Sequence, residues 1–218
     1  MCVIIYKPKG VMLPSSESLY DAFITNPDGA GLMIRRKRGI TIKKGLMTFE
    51  VLMEAIEEYQ ANRKEVELGI HCRIATSGSK STGMTHPFPI SESPKLLRKL
   101  GVRVPAALMF NGIIHSFDYS NTASDIALYV KLLSGVYSQG AFDAAVNLLE
   151  PHGKFLIFTK IKTYRIGEWE LINGVWYSNL HHLEEDFLPI QYHNYRIQDE
   201  DENEDGGNWA NQLNMRRY

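Results

Sequence analysis

Short apolar runs of strand length recur from one end of the chain to the other, parted by turns that carry Gly, Pro or Asn. The first, CVIIY at 2–6, has the apolar density of a buried strand and stops at Lys7-Pro8-Lys9-Gly10. GLMIRR and GITIKKG read as two strands, with the basic quartet RRKR at 35–38 as the exposed tip of their hairpin. EVELGIHCRIAT alternates Val66, Leu68, Ile70 and Cys72 on one face. A strand pair is expected around AALMFNGIIH, followed by KFLIFTK, TYRIGEW and WELINGVWYS, the last folded on Asn173-Gly174. Four segments read as helices instead. SSESLYDAFITN has Ser15 or Ser16 as N-cap, and TFEVLMEAIEEYQANR carries Phe49, Leu52, Met53, Ile56 and Tyr59 on one face. The other two are a stretch from about Ser124 to Leu133 and AFDAAVNLLE. SGSKSTGMTHPFPISES, 77–93, is polar and glycine-rich, and is expected to be an irregular loop of the length that tends to carry function. The pattern is one mixed α/β domain rich in antiparallel strands.

At 218 residues the chain suffices for one substantial domain. No apolar run approaches the ~20 residues of a bilayer span, so no membrane association is expected. The start lacks a basic region leading into an apolar one, so no secretory signal is expected. Cys2 and Cys72 make no disulfide framework, and the reducing cytoplasm is the expected compartment. The net charge of −1 hides an acidic stretch, DEDENED at 199–205. Without residues 199–218 the balance is 22 basic against 19 acidic residues, or +3, short of a nucleic-acid-binding footprint. Residues 2–197 are therefore expected to form the domain and 198–218 an acidic, flexible tail.

Cys2 directly follows the initiator methionine, and removal of Met1 would give one residue both a thiol and a free α-amine. With reference pKa values near 8.5 for a thiol and about 7.7–8.0 for the amine, a fraction of the amines is neutral at cytosolic pH. A neutral α-amine is a general base on the nucleophile's own backbone. A small core thiol in a strand is the plain alternative. Asn111-Gly112 between ALMF and II reads as a two-residue hairpin turn, yet such a turn also presents an amide side chain and a backbone N–H together. Two such donors could hold a tetrahedral oxyanion, at roughly 3–4 kcal/mol each. Arg73 sits within an apolar alternating strand and needs an anion, either a buried carboxylate or a substrate's. Asp125, at a helix start, is either a first-turn acid or the receiver of a substrate ammonium group. An amide bearing a carboxylate and an ammonium group is glutamine. His71 and His86 beside Cys72 match no common zinc spacing, and no metal site is expected.

Cys2 behind Met1, NPDGAGLM at 26–33, HCRIATSG at 71–78, HPF at 86–88, FNGII at 110–114 and SD at 124–125 occur in that order. This series resembles the class II glutamine amidotransferase domain of the N-terminal-nucleophile hydrolases. The resemblance spans about residues 2–125 by motif. It implies an α+β fold, a four-layer αββα sandwich of two antiparallel sheets between helices. It implies Cys2 as nucleophile, Asn111 and Gly112 as oxyanion hole, Arg73 on the glutamine carboxylate with Thr76 and Ser77 lining that site, and Asp125 on the ammonium group. No cofactor is implied. Ile74 departs from the aromatic residue often found after the arginine, and Phe110 from the usual histidine before the asparagine.

The expected function is a glutaminase that hydrolyses glutamine through a Cys2 thioester and supplies ammonia to a separate synthase partner, since the residues beyond the domain are too few for a synthase. A stand-alone amidohydrolase acting on a γ-glutamyl or other amide is the alternative within the same chemistry. A catalytically silent interaction module is the alternative outside it.

Overall fold

Residues 2–74, 81–112, 125–138, 141–146 and 153–183 are described by a computed structural model, with the side chains of 125–128, 138 and 146 left aside. The chain divides into a unit of Met1–His182 and one of Leu183–Tyr218. Only Leu183 of the second is described, so the expected boundary at 197 and the acidic tail lie outside the described residues.

The described architecture is mixed α+β with two antiparallel sheets. The larger runs β10 (Glu170–Ile172), β11 (Val175–Tyr177), β1 (Val3–Lys7), β4 (Leu68–Cys72), β2 (Ala30–Arg36), β3 (Gly39–Leu46) and β6 (Gly101–Val104). The smaller runs β5 (Phe88–Pro89), β7 (Ala106–Gly112), β8 (Gly153–Thr159) and β9 (Thr163–Ile166). Helices are α1 (Ser16–Thr25), α2 (Phe49–Glu58), α3 (Pro94–Leu97), α4 (Asp125–Ser138) and α5 (Phe142–Val146). Ser15 caps α1 by accepting from Ser18 N–H at 3.1 Å, and Thr48 caps α2 through Val51 N–H.

Period-two alternation divides β1 and β2 between two apolar clusters and gives one face of β4 to the first of them. Val3 and Ile5, Leu32 and Ile34, and Val66, Leu68, Ile70 and Cys72 join Leu19, Phe23, Leu52 and Ile56 of α1 and α2. Their neighbours in sequence, Ile4 and Met33, pack instead with Met109, Leu156 and Phe158, so this second cluster takes residues from both sheets. Leu108, Phe110, Phe155 and Ile157 form a third with Val130, Leu133 and Phe142 of α4 and α5. Each Leu, Ile or Phe so buried stabilises the fold by about 1.5–3 kcal/mol relative to exposure. Gly31 is required by close approach: a Cβ there would lie 2.0 Å from the carbonyl oxygen of His86.

Two lysines are buried among backbone carbonyls. Lys7 donates to the carbonyls of Val11, Arg63 and Val66, and Lys44 to those of Gly83 and Leu97. Burial lowers both ammonium pKa values, that of Lys44 to about 7.

Three expectations are corrected. The basic quartet at 35–38 is only half a hairpin tip, for Lys37 and Arg38 are exposed but Arg35 and Arg36 are not. Arg35 pairs with Glu67 at 2.5 Å and donates to Thr163 and to the carbonyl of Thr159 on the smaller sheet, while Arg36 donates to the carbonyl of Tyr59. AALMFNG is one strand, β7, whose Asn111 and Gly112 pair with Lys154 and Gly153 of β8 instead of turning, while residues 113–115, the expected second strand of that pair, lie outside the described residues. The stretch 77–93 is not wholly irregular: it holds a 3-10 turn at Thr82–Met84 and the short β5, with α3 following. Among the described residues no helix is long and apolar enough to cross a membrane.

Candidate active site

β1 and β4 pair antiparallel with Val3 opposite Cys72, which brings Cys2 against the chain just beyond β4. The Cys2 sulfur lies 3.4 Å from both the carbonyl oxygen and the amide nitrogen of Ile74, donating to the first and accepting from the second. Burial pushes the thiol pKa up, and the Ile74 N–H, the positive chain terminus and the Arg73 guanidinium partly oppose it. A thiol held neutral in this way needs a base to become a nucleophile. The Cys2 carbonyl in turn accepts from the Asn179 carboxamide at 2.8 Å.

Arg73 is not inside the strand, as its sequence context suggested. β4 ends at Cys72, and Arg73 follows it half-buried, so it does not bear the full desolvation of a strand interior. Its backbone is fixed on both sides. Arg73 N–H donates to the carbonyl of Gly29 at 3.0 Å, and its own carbonyl accepts from Asp28 N–H at 2.9 Å. The NPDGAG segment is therefore a clamp on the arginine's backbone. Nothing local in that segment signals this role.

Asn111 and Gly112 are the last residues of β7, not a hairpin turn. Asn111 is 8% exposed, and its Nδ2 donates to Ser178 Oγ at 3.0 Å. The same Ser178 oxygen accepts from the backbone N–H of Ile4 at 2.8 Å. The asparagine amide thus reaches β1 two residues from Cys2 through a single hydroxyl. Ser178 and Asn179 were missed from the sequence. They follow β11 without any local motif, and their partners lie at the opposite end of the chain.

Cys2, Arg73 and Asn111 are brought to one end of β1, β4 and β7. Thr76 and Ser77 lie outside the described residues, and Asp125 opens α4, its side chain likewise outside the description. His71 and Cys72 face opposite sides of β4: Cys72 packs with the α1–α2 cluster, whereas His71 Nε2 donates to the Phe110 carbonyl at 3.1 Å. The ring of His86 tilts against His71 at 4.3 Å between centroids. Burial lowers the His71 pKa to about 4 and that of His86 well below its ordinary value, so both are neutral near pH 7. Among the described residues no three His, Cys, Asp or Glu side chains gather as metal ligands. No family model matches this sequence, and no curated protein is significantly similar to it.

Proposed function

We propose that the protein is a glutaminase of the class II amidotransferase type, with Cys2 as its nucleophile. The observation that supports this best is that Cys2 directly precedes β1, Arg73 directly follows β4 where that strand pairs with β1, and the Asn111 amide at the end of β7 is tied through Ser178 to Ile4 of β1. The three apolar clusters also suit a four-layer αββα sandwich. One cluster joins the larger sheet to α1 and α2, one draws on both sheets, and one joins the smaller sheet to α4 and α5.

In the reaction we assign, Met1 has been removed and the Cys2 α-amine takes the thiol proton. The sulfur adds to the glutamine side-chain carbonyl carbon, a C–S bond forms, and the carbonyl π pair moves onto oxygen. One Nδ2 hydrogen of Asn111 binds Ser178, and the second, with the Gly112 N–H, meets that oxyanion. Collapse breaks the C–N bond, and the α-ammonium group gives its proton to the departing nitrogen, releasing ammonia. Water then attacks the thioester, passes a proton to the amine and returns the thiol with glutamate. Arg73 orients the substrate α-carboxylate through its guanidinium fork, Thr76 and Ser77 line that site, and Asp125 receives the ammonium group. Ammonia passes to a separate synthase partner in the cytoplasm.

The test is glutamate release from glutamine by the wild-type protein and by Cys2→Ala, with intact mass recorded on both. Turnover that disappears in the variant, in a chain lacking Met1, is the expected result. Undiminished turnover in Cys2→Ala, or a mature chain that retains Met1, would refute the assignment.

A further inference from the structure

β11 runs alongside β1 with Ile5 opposite Tyr177, and the next register position sets Ser178 beside Ile4. There the ladder changes. Ser178 N–H still donates to the Ile4 carbonyl at 2.9 Å, but the Ile4 N–H goes to the Ser178 hydroxyl rather than to its carbonyl. The displaced carbonyl accepts from Lys154 Nζ at 2.7 Å. Lys154 lies on β8 directly opposite Asn111. A side-chain oxygen has replaced a backbone one, and its second acceptor position is filled by the Asn111 carboxamide at 3.0 Å. Ser178 is wholly buried, so no solvent oxygen competes for that amide. Its neighbour Asn179 holds the Cys2 carbonyl at 2.8 Å.

We infer that Ser178 and Asn179 are positioning residues for the proposed reaction, Ser178 setting the plane of the Asn111 carboxamide and Asn179 setting the backbone that carries the nucleophile. The inference rests on the glutaminase assignment, but it names a division of labour that the assignment does not contain. Asn111 can rotate about its terminal torsion, and an amide turned by half a revolution offers an oxyanion a carbonyl oxygen instead of an N–H. Ser178 stops that rotation by accepting from one Nδ2 hydrogen, which leaves the other aimed outward. Asn179 works on the other reactant. A Cys2 carbonyl without its donor lets the first residue swing, and with it the sulfur and the amine together.

Two reactions at one sulfur separate these roles. Amide hydrolysis passes through an oxyanion, whereas alkylation by iodoacetamide displaces iodide at a tetrahedral carbon and makes none. In Ser178→Ala, kcat for glutamine should fall by about tenfold or more, a share of the loss typical when an oxyanion donor is removed outright. KM and the alkylation rate of Cys2 should stay within about twofold. Adding Asn111→Ala to Ser178→Ala should lower kcat no further than Asn111→Ala alone, because both act through one donor. In Asn179→Ala, hydrolysis and alkylation should fall together.

Wild-type-like kcat in Ser178→Ala, equal loss of both reactions there, or additive losses with Asn111→Ala would overturn the Ser178 role and leave the glutaminase assignment standing. Glutamine turnover that is absent, or independent of Cys2, would overturn both. Should Ser178→Ala fail to fold, side-chain amide exchange in the wild-type protein decides instead. One Asn111 Nδ2 proton, assigned by its loss in Asn111→Asp, should exchange measurably more slowly than its partner, and equal fast exchange of the two would contradict the bond to Ser178.

Discussion

The dipeptide Asn-Gly occurs twice in the described structure, and the two copies do different work. Asn173-Gly174 joins β10 to β11 with φ of +50° and +82°, the left-handed pair that a two-residue hairpin turn requires. Asn111-Gly112 instead ends β7 in register with Lys154 and Gly153, its asparagine buried and bonded to a serine from the far end of the chain. The first copy is explained by its own backbone. The second is explained only by what lies across from it. Local preference therefore decides a turn where nothing else competes, and tertiary pairing decides where a long apolar strand and a buried acceptor are on offer.

Asn111→Ala sharpens this contrast most. Loss of an oxyanion donor should lower kcat for glutamine by about 10²–10³-fold, whereas Asn173→Ala should leave turnover unchanged. A similar kcat for the two variants would erase the distinction.

Acid should act on the Asn111 region and spare the Asn173 turn. His71 donates to Phe110, the residue before Asn111, and is buried against His86. Both imidazoles have folded pKa values below the ordinary 6.5, that of His71 at about 4. The unfolded chain therefore binds more protons between those limits, and stability present above pH 6.5 is lost as pH falls towards 4. For His71 alone the loss amounts to at most about 3 kcal/mol, at about 1.4 kcal/mol per pH unit. Denaturant midpoints recorded from pH 7 to 4 should fall in the wild-type protein and less steeply in His71→Asn. A flat profile would mean that the pair is not buried neutral.

The smallest effect belongs to the turn. Replacing Asn173 by Ala at φ +50° should cost about 1–2 kcal/mol, or about 2–4 °C in Tm per kcal/mol for a chain of this size. No loss would show that the hairpin tolerates another turn type.

How much of this could be read beforehand follows the same division. The face of Val66, Leu68, Ile70 and Cys72, the Ser15 cap and the turn at Asn173 are local patterns, and the structure repeats them. Arg35 and Arg36 were legible as charge but not as brackets. Their partners, Glu67, Thr159, Thr163 and Tyr59, are remote in sequence, and a run of four basic residues looks like a solvated tip. Arg73 was misplaced by one step of the strand, because apolar alternation continues into Ile74 while the ladder does not. The site's candidates came from motif order rather than from periodicity. Ser178 and Asn179 escaped both signals, since their contacts cross almost the whole chain, from β11 to Ile4 and Cys2.

The central claim concerns one of two neighbouring thiols. Cys72 sits opposite Val3 in the α1–α2 cluster, 1% exposed, with burial pushing its pKa up to about 12. Cys2 is half-buried at the end of the same strand pair. Treatment with a diazoketone analogue of glutamine, followed by intact mass and peptide mapping, tests the claim directly. The expected result is a single adduct on Cys2, at the first position of a chain without its initiator methionine. An adduct on Cys72, no adduct at all, or a labelled chain still beginning with Met1 would contradict it.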